Sequence, residues 1–167
     1  GSSKWITGPE ARADVHALRA ESDAIVVGAA TVRKDDPLLT VRDAEGRDPL
    51  RVVLGHPPEG ARVKPDLVHD GDLADLLSRL GERGVIQLLV EGGSHVAGSF
   101  HRLGLVDQYV IYLAPAFMGG EDGVPLFDGP GAPTMEAVWR GRIAGVRRIG
   151  PDVRIDVLAA REGSAVP

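Results

Sequence analysis

The chain of 167 residues contains no cysteine, which excludes disulfides, thiolate nucleophiles and cysteine-based zinc sites. Aromatic residues make up only 4% of it, so the core has to be built from Val, Leu, Ile and Ala. No apolar run approaches the roughly 20 residues that a membrane-spanning helix needs, and no secretory signal is visible. We therefore expect no membrane association, and the lack of cysteine suits the reducing cytoplasm, where we expect the protein to act.

Clustered positive charge is missing as well. The formal net charge is −5, whereas phosphate backbones are bound by clustered Lys and Arg, so we expect no nucleic-acid partner. The five histidines show no metal-ligand spacing, and HExxH is absent, so we expect no metal site. The length of the chain fits one domain with its own core.

Apolar periodicity predicts helices alternating with strands, followed by a hairpin. Thr7 and Glu10 have the spacing of a capping box for a first helix that ends near Ser22. A second helix follows Asp72 and stops at Gly84, and a third runs from the Gly92-Gly93 turn to Gly104. Strands are predicted at residues 24–27, 50–54, 66–69, 85–90, 109–113, 143–148 and 153–157.

This order predicts an α/β fold with a mixed, mostly parallel sheet flanked by helices and closed by an antiparallel hairpin. The nearly continuous apolar runs 85–90 and 109–113 predict strands buried on both faces. Ligands bind outside the carboxyl ends of strands in such sheets, so the segments after Val27 and after Val90 matter most.

The segment after Val90 reads Glu91-Gly92-Gly93-Ser94. Two glycines would let a ligand approach the backbone, and the N-terminus of the next helix would suit a phosphate. An ordinary glycine turn with a solvated Glu91 is equally open on the residues alone. The dinucleotide fingerprint GxGxxG and the hydrolase elbow GxSxG are both absent.

The segment after Val27 contains Asp35-Asp36-Pro37. Paired carboxylates can serve acid–base chemistry or cap a turn, and the following proline favours the turn. Near the start, Trp5 could stack on a flat ligand or fill the core, the commoner case. The helix face with His16 and Arg19 could meet an anionic substrate or be a solvated surface.

Four stretches in order carry a family resemblance: SKWITGPEARADVHALRA (3–20), GAATVRKDDPLLTVR (28–42), LLVEGGSHVAGSF (88–100) and GLVDQYVIYLAP (104–115). Together they resemble the reductase domain of bifunctional riboflavin biosynthesis deaminase-reductases. The resemblance covers nearly the whole chain and implies a dihydrofolate-reductase-like fold.

It also implies NADPH-dependent reduction of 5-amino-6-(5-phosphoribosylamino)uracil, with hydride transfer to C1′ of the ribose. The implied cofactor contacts are Trp5, Thr31, Asp35, Gly93, Ser94, His95, Val96, Ala97, Gly98 and Ser99. The implied substrate contacts are Ser3, Arg19, Leu39, Arg42 and Glu91, with Arg19 and Arg42 at the phosphate. Glu91 and Asp35 are the candidate catalytic residues.

Two departures from the family are visible. The family's first strand should precede Ser3, so we expect residues 1–167 to form a single reductase domain lacking that strand. Family members often place a small hydroxyl residue where this chain has His56. No zinc deaminase motif is present, so a deaminase domain is expected on the same or a separate chain.

The resemblance further implies a homodimer formed through the sheet and C-terminal strands. Two other functions stay open. One is a dihydrofolate- or pteridine-type reductase on the same fold, and the other is a nucleotide-binding module without turnover.

Overall fold

The computed structural model describes residues 6–42, 44–117, 119–120 and 123–160. Four helices and seven strands lie in these ranges. In chain order they are α1 (Pro9–Glu21), β1 (Ala24–Gly28), α2 (Ala29–Asp35), β2 (Leu50–Leu54), β3 (Leu67–His69), α3 (Leu73–Glu82), β4 (Leu88–Val90), α4 (Ser94–Arg102), β5 (Gln108–Leu113), β6 (Gly141–Ile149) and β7 (Asp152–Ala159).

The first sheet is parallel and has the order β3-β2-β1-β4. Every residue of β1 is buried, because helices and loops cover both faces of the sheet. On one face Ile25 and Val27 pack with Val32 of α2. On the other, Val26 packs with apolar residues of α3 and α4, among them Phe100. All four strands therefore end at one edge of the sheet.

The second sheet is antiparallel and has the order β5-β7-β6, with a bulge between Ile143 and Gly145. Directly opposed residues of an antiparallel pair share a face. Tyr112, Arg147 and Arg154 are opposed in this way and form one polar face. The C-terminal hairpin predicted from the sequence is confirmed.

Helix α1 is attached to this polar face through Asp14. The carboxylate of Asp14 accepts hydrogen bonds from Tyr112 Oη, Arg154 Nη1 at 2.7 Å and Arg147 Nη2 at 2.9 Å. Burial raises the pKa of Asp14, but the hydrogen bonds from Tyr112 and Arg154 and both arginine charges outweigh burial and hold it below its ordinary value. Burial and the neighbouring Asp14 also raise the pKa of Tyr112.

The start of α1 differs from the prediction. Its N-cap is Gly8, and no side chain among the described residues caps it locally, so the Thr7 capping box is wrong. Instead, the Gly8 amide donates to Oδ2 of Asp152 at 2.7 Å. Asp152 is buried and begins β7, so the hairpin supplies the carboxylate that satisfies this helix end.

The predicted full burial of strands 85–90 and 109–113 is also wrong. The first is shortened to β4, which is half-buried, and Ile86 before it is 95% exposed. Most of β5 is half-buried, and Leu113 at its end is exposed. The reason is positional: within the described residues, β4 pairs only with β1 and β5 pairs only with β7.

The short helix α2 was not predicted, because its small and basic residues have no clear apolar period. The α/β architecture of the dihydrofolate-reductase-like type is confirmed, with its parallel part and its antiparallel part as two sheets over the described ranges. No helix in those ranges is long and apolar enough to cross a membrane.

Candidate functional site at the carboxyl edge of the parallel sheet

A cleft of about 650 Å³ opens at the carboxyl edge of the parallel sheet. Residues that follow β1, β2 and β3 and the first turn of α4 form its walls. The lining residues are Gly28, Ala29, Ala30, Thr31, Arg33, Leu54, Gly55, His56, His69, Asp70, Gly71, Leu73, Gly93, His95, Val96 and Ser99. Its volume lies in the usual range for cofactor pockets.

Glycines at the strand ends bring α4 close to the sheet. A Cβ atom on Gly28 would lie 2.8 Å from Cγ2 of Val96, and one on Gly92 would lie 2.6 Å from Cβ of Val96. Real side chains do not approach so closely, so both positions require glycine for this packing. The two glycines therefore place the N-terminus of α4 directly at the cleft.

The segments after β1 and after β4 touch each other there. The amide of Gly93 donates to Oγ1 of Thr31 at 3.2 Å. The two segments that the sequence marked as most important, after Val27 and after Val90, therefore lie together at the carboxyl edge of the sheet.

The end of α4 can accept an anion. Gly93 is its N-cap and no side chain in the described part of the chain caps it, so first-turn amides face the cleft without a local acceptor. Together with the positive end of the helix dipole, these amides suit a phosphate group.

Only some of the cofactor contacts predicted from the sequence line the cleft. Thr31, Gly93, His95, Val96 and Ser99 line the cleft, whereas Ser94, Ala97 and Gly98 are outside its lining. A Cβ on Gly98 would lie 2.3 Å from the carbonyl oxygen of Asp128, so this glycine serves packing against the 123–140 segment.

Asp35 is the last residue of α2 and is exposed, and it is not among the lining residues. Its neighbour Asp36 caps the helix in the left-handed conformation (φ 41°), and its Oδ1 accepts from the Arg62 amide. Asp36 thus caps a turn, which is the role that the following proline favoured in the sequence analysis. Ser3 and Trp5 lie outside the described residues.

Glu91 and Arg19 form one unit beside the cleft. Glu91 follows β4, and its amide donates to the carbonyl of Val26 in β1. Its carboxylate accepts from Arg19 Nε at 2.7 Å and from Arg19 Nη2 at 2.6 Å. The side chains are only 12% (Arg19) and 24% (Glu91) exposed, and a bidentate pair of this kind is strong and oriented. The two predicted substrate contacts are therefore paired with each other.

Arg42 and Leu39 lie in the loop that follows α2. Arg42 has an exposed side chain, and its amide donates to Nδ1 of His16 at 3.2 Å. Leu39 as a whole residue is only 2% exposed, and its side chain packs with Ile25 and Val27 in the core. The structure therefore presents neither the side chain nor the backbone of Leu39 to a ligand.

Four lining residues with polar side chains had no predicted role: Arg33, His56, His69 and Asp70. Arg33 Nη1 donates to the carbonyl of His56 at 3.2 Å, and His56 Nδ1 lies 3.7 Å from Oδ2 of Asp70. The usable signal was position, since Asp70 directly follows β3 and His56 is the second residue after β2. The prediction considered only the ends of β1 and β4 in detail.

The parallel sheet with a cleft at its carboxyl edge, the uncapped N-terminus of α4 and the closing antiparallel sheet fit an α/β domain of the dihydrofolate-reductase-like class, which solved structures share. More narrowly, the chain belongs to the RibD C-terminal domain family, whose family model matches residues 1–155.

Curated relatives agree with this family. The riboflavin biosynthesis protein RibD of Mycobacterium tuberculosis H37Rv is 38% identical over 171 residues, covering 95% of this chain and 49% of the relative. The RibD protein of Escherichia coli K12 is 32% identical over 203 residues, covering 96% of this chain and 55% of the relative. The chain thus spans about half the length of these relatives.

Solved structures show the same fold. Acinetobacter baumannii RibD superposes with a TM-score of 0.85 at 27% identity, covering 96% of this chain and 53% of that one. A Thermotoga maritima protein described as a diaminohydroxyphosphoribosylaminopyrimidine deaminase and 5-amino-6-(5-phosphoribosylamino)uracil reductase has a TM-score of 0.77 at 26% identity, covering 96% of this chain and 51% of that one.

Proposed function

We propose that this domain is the reductase that converts 5-amino-6-(5-phosphoribosylamino)uracil to 5-amino-6-(5-phosphoribitylamino)uracil with NADPH. The observation that carries the proposal is the Gly93–Thr31 hydrogen bond at the mouth of the cleft. It joins the two segments that the reductase resemblance assigns to one dinucleotide. The name of the Thermotoga maritima relative supports the choice of substrate.

The residues of the cleft fit a dinucleotide. The open end of α4 at Gly93 would hold the pyrophosphate through backbone amides. From there the cleft continues across the strand ends to Arg33 and His56, where the adenosine half would lie. When bound, NADPH supplies the hydride for C1′ of the substrate ribose.

Glu91 would face the opposite end of the cofactor, beside β4. Its carboxylate is held in one orientation by Arg19, so it can accept hydrogen bonds from a sugar hydroxyl or a pyrimidine N–H without reorganising. Arg42, exposed on the neighbouring loop, would bind the substrate phosphate through its planar guanidinium group. Arg19 would contribute to the same phosphate site while it stays paired with Glu91.

The wider setting is also part of the proposal. A deaminase domain would supply the substrate, on the same or a separate chain, as the description of the Thermotoga maritima protein indicates for that protein. We further propose that the domain acts in the cytoplasm as a homodimer.

The direct test follows nicotinamide absorbance while the protein is mixed with NADPH and each candidate substrate. Oxidation of NADPH with the phosphoribosylamino-uracil and none with dihydrofolate is the expected result. Oxidation with dihydrofolate alone would make it a pteridine-type reductase instead. NADPH binding, measured by calorimetry, without turnover of either substrate would identify a nucleotide-binding module.

A further inference from the structure

The described residues of the loop between α2 and β2, 36–42 and 44–49, form no helix or strand and include two strained positions. Asp36 and Leu39 have φ values of 41° and 57°, a region that non-glycine residues rarely adopt. Such conformations persist only where the surrounding structure holds them. The loop that presents Arg42 therefore depends on contacts from other elements.

Two of these contacts come from a single turn of α1. Arg19 Nη1 donates to the carbonyl of Thr40 at 3.1 Å, and Nδ1 of His16 accepts from the Arg42 amide at 3.2 Å. His16 and Arg19 are three residues apart and so share one helix face. Two further contacts hold the loop, since Leu39 is buried in the core and the Val41 amide donates to Asp48.

The same turn of α1 reaches the other side of the substrate region, because Arg19 also binds Glu91. Helix α1 thus sets the distance between Glu91 and the Arg42 backbone, since it contacts both of them. His16 is 7% exposed, which fixes its ring in one place. A backbone amide can only donate, so Nδ1 of His16 is the acceptor in this contact.

We propose that His16 is a positioning residue for the substrate: through its Nδ1 atom it fixes the backbone of Arg42 and so aims that guanidinium at the substrate phosphate. The inference rests on the proposed function in one respect, the assignment of a phosphate to Arg42. In this role His16 would act through the Arg42 backbone and not by contact with the substrate or the cofactor. The face of α1 with His16 and Arg19, which the sequence left open as a solvated surface, would thus support the phosphate site.

The test uses two substitutions of similar size that place an acceptor differently. The amide oxygen in His16→Asn falls near the position of Nδ1, whereas in His16→Gln it falls near Nε2. Ser22→Ala is the matched control, because Ser22 is a buried polar residue at the C-cap of α1 and, among the described residues, its Oγ donates to the Leu18 carbonyl of the same helix. The readouts are amide hydrogen exchange at Arg42, the Kd of ribose 5-phosphate and the Kd of NADPH.

We expect His16→Asn and Ser22→Ala to keep slow exchange at Arg42 and wild-type affinity for ribose 5-phosphate. His16→Gln should exchange faster at Arg42 and bind ribose 5-phosphate about tenfold more weakly, with NADPH affinity unchanged. A general packing role of His16 would instead lower the affinity for ribose 5-phosphate and the affinity for NADPH together.

Equal behaviour of the Asn and Gln variants would overturn the proposal, as would unchanged ribose 5-phosphate affinity in His16→Gln. A wild-type protein that binds no ribose 5-phosphate would overturn it too. These results are distinct from failure of the proposed function, which would appear as absent NADPH oxidation in the wild-type protein.

Discussion

At the scale of single residues, the carboxylate of Glu91 stands out because Arg19 holds both of its oxygen atoms. Replacement of Glu91 by Gln keeps the shape and removes the charge. We expect kcat to fall by about 10- to 100-fold, the value of a lost charge-assisted hydrogen bond, while the Kd of NADPH stays within about twofold. Steady-state kinetics and calorimetry measure the two quantities.

Glu82→Gln is the control, since Glu82 is exposed at the end of α3, away from the cleft. It should leave both quantities unchanged. An equal loss of turnover and NADPH affinity in Glu91→Gln would remove Glu91 from the substrate side of the site.

Arg33 supplies the one permanent positive charge among the residues that line the cleft, over the described part of the chain. It lies beside His56 at the end of β2, where doubly wound folds recognise the adenosine ribose. We expect Arg33→Ala to raise the Kd of NADPH about tenfold and to leave that of NADH unchanged, since only NADPH carries the 2′-phosphate. Fluorescence titration with both cofactors measures the ratio.

Lys34→Ala is the matched control, because Lys34 is the adjacent exposed cation and does not line the cleft. Equal weakening of NADPH and NADH by Arg33→Ala would contradict a 2′-phosphate contact.

At the scale of elements, Asp14 joins α1 to the antiparallel sheet, and its pKa lies below that of an unfolded aspartate. A carboxylate with a lowered folded-state pKa stabilises the fold above its unfolded pKa of about 3.9, and that contribution is lost as the pH falls through the folded value. We expect Asp14→Asn to lower the free energy of unfolding by about 2 kcal/mol near neutral pH.

Urea unfolding between neutral pH and about pH 2 tests this, because the difference between wild type and Asp14→Asn should narrow as the pH falls. Asp107→Asn, at an exposed carboxylate before β5, serves as control and should follow the wild type. A constant difference across the pH range would contradict the role of the ionised Asp14.

The elements themselves were largely predictable because their signals are local. Strand β7, predicted from its alternating apolar residues, is confirmed. The Asp72 cap of α3 is confirmed too, since its side chain accepts a hydrogen bond from the Asp75 amide. The cap of α1 could not be predicted, since its acceptor is Asp152, 144 residues away from Gly8. Likewise, the burial of β4 and β5 depends on their neighbours in the sheet.

The candidate site shows the same division. The placement of the segments after Val27 and after Val90 at the carboxyl edge of the sheet follows from topology and was predicted, whereas the contact of Thr31 with Gly93 was not. The Arg19–Glu91 pair and the His16–Arg42 contact depend on side-chain directions of α1, which periodicity does not determine. They appear only once the helix is placed against the loop.

At the scale of the whole molecule, the antiparallel sheet has an uncovered apolar surface. Ile143 and Val146 are exposed and lie opposite Val157 and Ile155 on one face. Exposed apolar patches mark contact surfaces, and a symmetric dimer would bury this one in both copies. We expect the wild type to sediment as a dimer at micromolar concentration and Ile143→Asp to sediment as a monomer.

Arg142→Asp is the control, because Arg142 is adjacent but lies opposite Leu158, on the other face of the sheet. A monomeric wild-type protein, or dissociation by both variants, would contradict this interface.

The two sheets also end on strands whose outer edges have no strand partner in the described ranges, β4 and β5. We propose that a strand preceding Ser3 pairs with these edges. The free energy of unfolding should then be at least about 1 kcal/mol higher for the protein extended by its native upstream residues, which corresponds to about 2–4 °C in Tm. Two prolines placed in the added segment should abolish the gain, and equal Tm values for all three proteins would contradict the added strand.

The proposed function requires that the segment containing Thr31 and the segment beginning at Gly93 bind the same dinucleotide. Titration of the ¹⁵N-labelled protein with NADPH measures this directly through the amide resonances. Thr31, Gly93, His95 and Val96 should shift together and saturate with a single Kd. Shifts confined to one segment, or two segments that saturate with different Kd values, would contradict the account.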